Sequence, residues 1–274
     1  MPELPEIEII RQALAEALVG RRLETAELLR QGKTSMLGAD LLPHLVGQRL
    51  ERIDRFGKLL AYRFDDGLTL VVHLMLIGRV GLYEGERKVS SQAVLHLGFE
   101  GPWHVEVMFV AARDIAALPN DLVAQYPPIV KLGPDALTVS DADFATQVLA
   151  TRSTVKAALL DQAVVAGIGN AYADEILYEA RMNPFTTVKT AGPGGVDEVY
   201  QSMAPTLQRA IDLRAGHEYL FGLGKTMGLA KKHDVMRVHN KAGEPCPTCG
   251  RPVTLVEKSG RGTFYCEHCQ PERD

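Results

Sequence analysis

Residues 246–269 read CPTCGRPVTLVEKSGRGTFYCEHC and hold every cysteine of the chain, as Cys246, Cys249, Cys266 and Cys269. Two Cys-x2-Cys pairs stand sixteen residues apart. Each pair can present two thiolates to one side of a tight turn, and two such turns complete a tetrahedral shell for one structural Zn²⁺. The competing arrangement is two disulfides or four free thiols. A cytosolic chain disfavours disulfides, and thiols clustered in paired turns need a reason. His268 lies inside the second pair, but four cysteines already fill the shell, so it is left out. Between the pairs, Val253 and Leu255 followed by Lys258-Ser259-Gly260-Arg261-Gly262 read as strand, turn, strand. Arg261 is then expected at an exposed tip held rigid by the metal. It suits a phosphate there, a solvated surface Arg being the ordinary alternative.

Outward from this tail, 274 residues with 46% hydrophobic content suggest two domains with real cores. The formal net charge is −4, so bulk charge favours no polyanionic partner. From Lys225 to Cys269, however, eight lysines and arginines face four acids, a local +4, and a basic tail on an acidic protein is a candidate phosphate-binding surface. No apolar run approaches the roughly 18 residues of a membrane span, and no basic-then-apolar leader opens the chain. A soluble, cytoplasmic protein is expected.

The chain begins MPELPEIEII. Pro5 suits a first helical turn, the acids suit the positive end of a helix dipole, and Ile7, Ile10, Leu14 and Leu18 follow helical spacing before Gly20. None of this accounts for Pro2. Methionine is normally trimmed before a small second residue, which would leave Pro2 as a free secondary amine; an N-terminal amine titrates near pH 8, roughly 7.7–8.0, and is partly nucleophilic at neutral pH.

From about residue 20 to 130 short β-like stretches recur (LLAYRF, LTLVVHL, AVLHLGF, WHVEVMFV), separated by turn signals such as Asp65-Asp66-Gly67 and Gly101-Pro102, which reads as a β-sandwich or barrel-like domain. Pro127-Pro128 and Gly133-Pro134 mark a linker. Helix signals follow: a Ser140-Asp141 start with an apolar run to Leu149, then Val155–Leu160, Ala171–Glu179 and about Val196–Leu213. Gly167 and Gly169 are expected to adopt backbone geometry closed to other residues. With Asn170 next, this turn opens onto a helix N-terminus that offers N–H groups to a phosphate. A simple helix connection is the alternative.

Four separated segments, PELPE, RFGKLL around Lys58, VAGIGNAYADE and GEPCPTCG…GRGTFYCEHCQ, together resemble the formamidopyrimidine/endonuclease VIII family of bifunctional DNA glycosylases, in family order over nearly the whole chain. The resemblance implies an α+β multidomain fold: an N-terminal helix with a β-sandwich (1–132), a helix-two-turn-helix domain (133–235) and a four-Cys zinc finger (236–274). Damaged double-stranded DNA would lie across the cleft between them, bound by a monomer. It makes Pro2 the nucleophile that attacks C1′ and Glu3 the acid/base residue. Glu6 becomes an acid that orients the N-terminus or serves the helix dipole, and Lys58 a holder of the phosphate beside the lesion. Asn170 and Arg261 become the pair that pinches the DNA backbone.

The resemblance also assigns Leu76, Arg113 and Ile115 to the gap left by the everted base, with strand core (Leu76, Ile115) and pairing to Asp114 (Arg113) as the ordinary alternatives. Three segments depart from the members that excise 8-oxoguanine. Ala111-Ala112-Arg113-Asp114-Ile115-Ala116 stands where those carry Asp-Pro-Arg-Arg-Phe-Gly, and His73-Leu74-Met75-Leu76-Ile77-Gly78 places Leu76 at the usual Met. The stretch FGLGKTMGLAKKHDVMRVHNK lacks the long Gly/Thr-rich loop. Asp114 is expected to add a negative charge beside phosphates, and abasic sites, ring-opened purines or oxidised pyrimidines are expected to be better substrates than 8-oxoguanine. The rival functions are a DNA-binding protein without turnover, which should have lost Pro2 or Glu3, and a zinc-ribbon interaction module, which explains only the tail.

Overall fold

The structure is a computed structural model that describes residues 1–30, 35–216, 218–222, 228–258 and 260–273; the side chains of Lys258 and Arg261 fall outside the description. Two compact units emerge, Met1–Val130 with Arg214–Lys231, and Lys131–Leu213 with Lys232–Asp274.

The first unit begins with α1 (Leu4–Leu18), whose stripe of Leu4, Ile7, Ile10, Leu14 and Leu18 is fully buried. At roughly 1.5–3 kcal/mol per buried aliphatic side chain, that stripe, not intrinsic propensity, fixes the helix. Strands β1 (Leu23–Leu28), β2 (Leu50–Phe56), β3 (Leu59–Phe64), β4 (Leu68–His73), β5 (Arg79–Glu84), β6 (Ala93–Phe99), β7 (Trp103–Met108) and β8 (Ile115–Pro119) follow. They form a four-stranded sheet in the order β2-β3-β4-β8 and a five-stranded sheet in the order β1-β6-β7-β5-β9. The expected β-sandwich is present, and β3 and β4 are buried on almost every residue, as central strands covered on both faces must be. The ninth strand, β9 (Leu220–Gly222), arrives from far along the chain, after the helical half, and lies parallel to β5. The short helix α2 (Pro127–Val130) stands where the Pro-Pro linker was expected.

The second unit carries α3 (Asp141–Leu149), α4 (Val155–Leu160), α5 (Asn170–Glu179), α6 (Val188–Asp212) and the single turn α7 (Lys232–Val235), then the hairpin β10 (Thr254–Lys258) and β11 (Arg261–Tyr265). The Ser140 hydroxyl accepts the Asp143 N–H and caps α3, and Thr154 caps α4 through the Ala157 N–H. Helix α6 begins earlier than the expected Val196: Thr187 caps a first turn, Gly192 breaks it at φ +61°, and Pro193 restarts the helix. Among the described residues no helix is long and apolar enough to cross a membrane.

Two neighbouring carboxylates on α5 hold this unit together. Asp174 forms an ion pair with Lys156 of α4 at 2.6 Å, meets His239 Nδ1 at 2.7 Å, and accepts the Phe264 N–H of β11 at 3.3 Å. Lys156 in turn donates to the Thr263 hydroxyl at 2.7 Å. Glu175 accepts three successive backbone N–H groups, from Arg237, Val238 and His239, at 2.8, 2.9 and 2.9 Å. Its burial still pushes the carboxyl above the ordinary range, against those bonds and the Arg209 guanidinium. Helix, connecting segment and finger hairpin therefore converge on one buried acidic pair. Removing one partner of a buried ion pair strands the other, so Asp174→Ala should lower the unfolding free energy of the protein by about 3–5 kcal/mol, read by denaturant titration. A loss under about 1 kcal/mol would contradict the central role given to this pair.

Candidate active site and metal centre

Pro2 is buried immediately ahead of α1, and Glu3 and Glu6 are buried beside it. The Glu6 carboxylate accepts the Glu3 backbone N–H at 2.7 Å, which is the N–H of the peptide unit that follows Pro2. The two sequence readings of Glu6 thus meet in one geometry: a first-turn carboxylate at the positive end of the helix that also fixes the N-terminal peptide. The Met1 ammonium donates to the Tyr219 hydroxyl at 3.2 Å, on the segment that leads into β9.

Lys58 sits half-buried in the β2–β3 turn, where Gly57 has φ +55° and Phe56 pairs with Leu59. Leu59 pairs in turn with His73 at the end of β4. Burial holds the His73 imidazole below its ordinary value; the Asp114 carboxylate opposes this and the Lys58 ammonium adds to it. Lys58, His73 and Asp114 are therefore electrostatic neighbours, and His73 is a residue that sequence reading did not single out. The Asp114 carboxylate is largely buried and accepts the Ala111 N–H at 3.0 Å. The carboxylate thus closes its own turn, and its negative charge stays on the 109–114 connection.

Arg113 is 65% exposed, with a loose 3.9 Å approach to Asp114. Leu76 is 66% exposed on the turn between β4 and β5. Ile115 is different. It is 0% exposed, at the start of β8 and paired with Val72 in the sandwich core. Ile115 thus occupies the strand-core place that was its ordinary alternative, its side chain turned inward by the β4–β8 register. Met75, Ile77 and Phe109 are exposed apolar residues that sequence reading left unassigned.

In the second unit Gly167 has φ +106°, as expected of a residue that only glycine fits well. Gly169 does not: at φ −124° it is ordinary extended backbone capping α5. Asn170 opens α5 and donates from Nδ2 to the Gly262 carbonyl at 2.8 Å, which ties the helix start to β11 beside Arg261. Its Oδ1 is buried with no hydrogen-bond partner among the described residues. The Arg261 backbone opens β11 opposite Lys258; its side chain lies outside the described residues, as do Ser259 of the expected turn and residues 223–227 of the short stretch before the finger.

The four cysteines are unbridged and bring their sulfurs within 4.8 Å of one another. The Cys246–Cys269 and Cys249–Cys266 sulfur pairs lie 3.8 and 3.5 Å apart. A tetrahedron with Zn–S bonds of about 2.3 Å has edges of roughly 3.8 Å, so the donor set fits zinc and closes its shell. Burial opposes ionisation of Cys246, yet the Tyr178 hydroxyl at 3.3 Å and the N–H groups of Cys249 and Thr248 pull its thiol down to about 6. Tyr178, Val238 and Val253 pack with Cys246 and Cys266 in a small core beneath the cluster.

Residues 1–118 match the model of the formamidopyrimidine-DNA glycosylase N-terminal domain, 132–220 that of the formamidopyrimidine-DNA glycosylase H2TH domain, and 243–271 that of the zinc finger found in FPG and IleRS. The formamidopyrimidine-DNA glycosylase of Listeria innocua is 32% identical over 280 residues, covering 98% of this chain and 100% of the relative. Crystal structures of the Lactococcus lactis Fpg (MutM) superimpose on this chain at 27% identity. Bound to DNA containing N7-benzyl-Fapy-dG, it gives a TM-score of 0.88 over 99% of this chain and 100% of that one. Bound to abasic-site DNA, it gives 0.87 over 98% and 100%. The cysteine cluster is accordingly the site of a single structural zinc. Because such a site supplies folding free energy, Cys249→Ser or chelation should abolish stoichiometric zinc and unfold the hairpin 254–265, while the sandwich keeps its cooperative transition. Zinc-free protein with an intact hairpin by NMR would contradict this.

Proposed function

This chain belongs to the formamidopyrimidine-DNA glycosylase family, and from that premise we propose that it is a base-excision repair glycosylase that also cleaves the abasic strand through Pro2. Its nitrogen, freed by loss of Met1, attacks C1′ of the damaged nucleotide as the bond from C1′ to the base breaks. Loss of the nitrogen proton and opening of the sugar ring leave an iminium that links Pro2 to the sugar. The iminium acidifies the C2′ proton, whose removal expels the 3′ phosphate; a second elimination releases the 5′ phosphate and leaves a one-nucleotide gap. Glu3 protonates the ring oxygen and then shuttles protons. Glu6 acts through the backbone, holding the Pro2–Glu3 peptide in place.

Lys58 holds a phosphate near the lesion, with His73 beside it, and Asn170 and Arg261 hold the backbone from the second unit. Phosphate contacts of this kind fix register, while eversion exposes C1′. Leu76 and Arg113 act at the everted site. The division into 1–132, 133–235 and 236–274, a monomeric state and a cytoplasmic location belong to the same reading, as does a preference for abasic sites, ring-opened purines or oxidised pyrimidines over 8-oxoguanine.

The observation that carries the proposal is a buried Pro2 whose following peptide is clamped by a buried acid, in a chain of this family. Borohydride reduction on abasic-site DNA should trap a covalent protein–DNA adduct, and Glu3→Gln should slow base release by about 100-fold or more. No adduct from protein lacking Met1 would overturn the lyase step, leaving a damaged-DNA-binding protein with little turnover.

A further inference from the structure

We propose that Met75, Leu76, Ile77 and Phe109 form one rigid apolar wedge for the gap in the duplex, and that Phe109 stacks on the orphan base, the task the family pattern assigned to Ile115. The inference rests on the proposed function and names a specificity-determining residue of that site.

Topology brings the four residues together. The 74–78 turn passes from β4 in one sheet to β5 in the other, and the 109–114 connection returns from β7 to β8. Because β4 pairs with β8 and β5 with β7, the two crossings run side by side at one end of the sandwich. Phe109 leaves β7 directly after Met108, the partner of Arg79, and so emerges beside Ile77 and Gly78. Phe109 is 41% exposed and Ile77 62%.

Backbone strain singles out the same place. Among the described residues five non-glycine residues have positive φ, and the two with apolar side chains are Met75 at +52° and Phe109 at +59°. A bulky residue held there costs on the order of 1–3 kcal/mol and persists where the surroundings over-determine it, which is characteristic of functional sites. The turn is tightly closed. Gly78 donates to the Leu74 carbonyl at 2.8 Å, and a Cβ at Gly78 would lie 2.1 Å from that oxygen. Arg79 donates to the carbonyls of Ile77 and Gly78 at 2.7 and 2.9 Å and stacks on Tyr219 at 4.6 Å.

Charge indicates the occupant. Arg113 is exposed on the 109–114 connection, Arg79 follows the turn directly, and Lys58 acts on His73 just ahead of it, while the one acid on that connection, Asp114, is largely buried and bonded to the Ala111 N–H. An apolar centre with a cationic rim complements a duplex opened at one step, apolar inside and anionic outside. A second copy of this chain would bring the same cations against each other. Ile115, sealed in the core, cannot reach an orphan base, and Phe109 is the exposed aromatic on the adjoining crossing. Stacking on an aromatic ring tolerates any base.

The test uses zinc-loaded full-length protein and a duplex with a stable abasic analogue opposite 2-aminopurine. Binding of the wild type should alter the fluorescence as the orphan base stacks. Phe109→Gly, whose backbone conformation suits glycine and which should fold at least as well, should lose that signal and bind about tenfold or more weakly. Ile115→Val should keep it. A wild type that does not bind the abasic duplex defeats the proposed function itself. Binding and a signal that persist in Phe109→Gly overturn this inference alone. It is equally overturned if Phe109→Gly leaves the signal intact but abolishes a concentration-dependent self-association seen by sedimentation.

Discussion

The Glu6 carboxylate, fully buried and bonded to the Glu3 N–H, is the contact on which the chemistry proposed for this chain depends. A chain terminus is ordinarily the least ordered part of a protein, and a nucleophile placed there needs a tether. Here the tether has two levels. The α1 stripe anchors the helix in the sandwich core, and the first-turn acid extends that order by one more peptide unit, to the bond that follows Pro2. The carboxylate favours the helix N-terminus electrostatically and pins the peptide that follows the buried Pro2.

The second unit is built around a different constraint with the same logic. Asp174 and Glu175 are adjacent in sequence and buried together, each satisfied by partners from elsewhere in the unit. Through them the start of α5, where Asn170 sits, and the β11 strand, where Arg261 sits, are set by one network rather than by two independent elements. The zinc closes the far side of the same hairpin. Metal, buried acids and the Asn170–Gly262 hydrogen bond together position the two residues proposed to hold the DNA backbone.

Much of this was legible because it is local. Cysteine spacing announced the metal site, Ser140-Asp141 announced the start of α3, and the Ile/Leu stripe announced α1. What was left open or unseen depends on partners far along the chain. Ile115 follows an exposed turn and shares a motif position with wedge residues, but its register with Val72 turns it inward, and a one-residue difference in register decides the face. Asp174 and Glu175 look like ordinary helix-surface charges until Lys156, His239 and residues 237–239 are brought to them. A three-residue strand such as β9, pairing in parallel with β5 more than a hundred residues earlier, leaves no periodic signal. Phe109 lies in an unbroken apolar run, and its exposure is set by a left-handed backbone that no pattern of residue types encodes.

The central claim is that the chemistry belongs to the Pro2 nitrogen and to no other amine. Intact-mass analysis of a borohydride-trapped sample prepared from a mixture of Met1-containing and Met1-free protein tests it most directly. The account predicts that the sugar-derived mass appears solely on Met1-free chains, with fragmentation placing it on Pro2, while every chain that retains Met1 stays unmodified because its Pro2 nitrogen is an amide. Adduct on Met1-containing chains, or on a lysine such as Lys58, would contradict it.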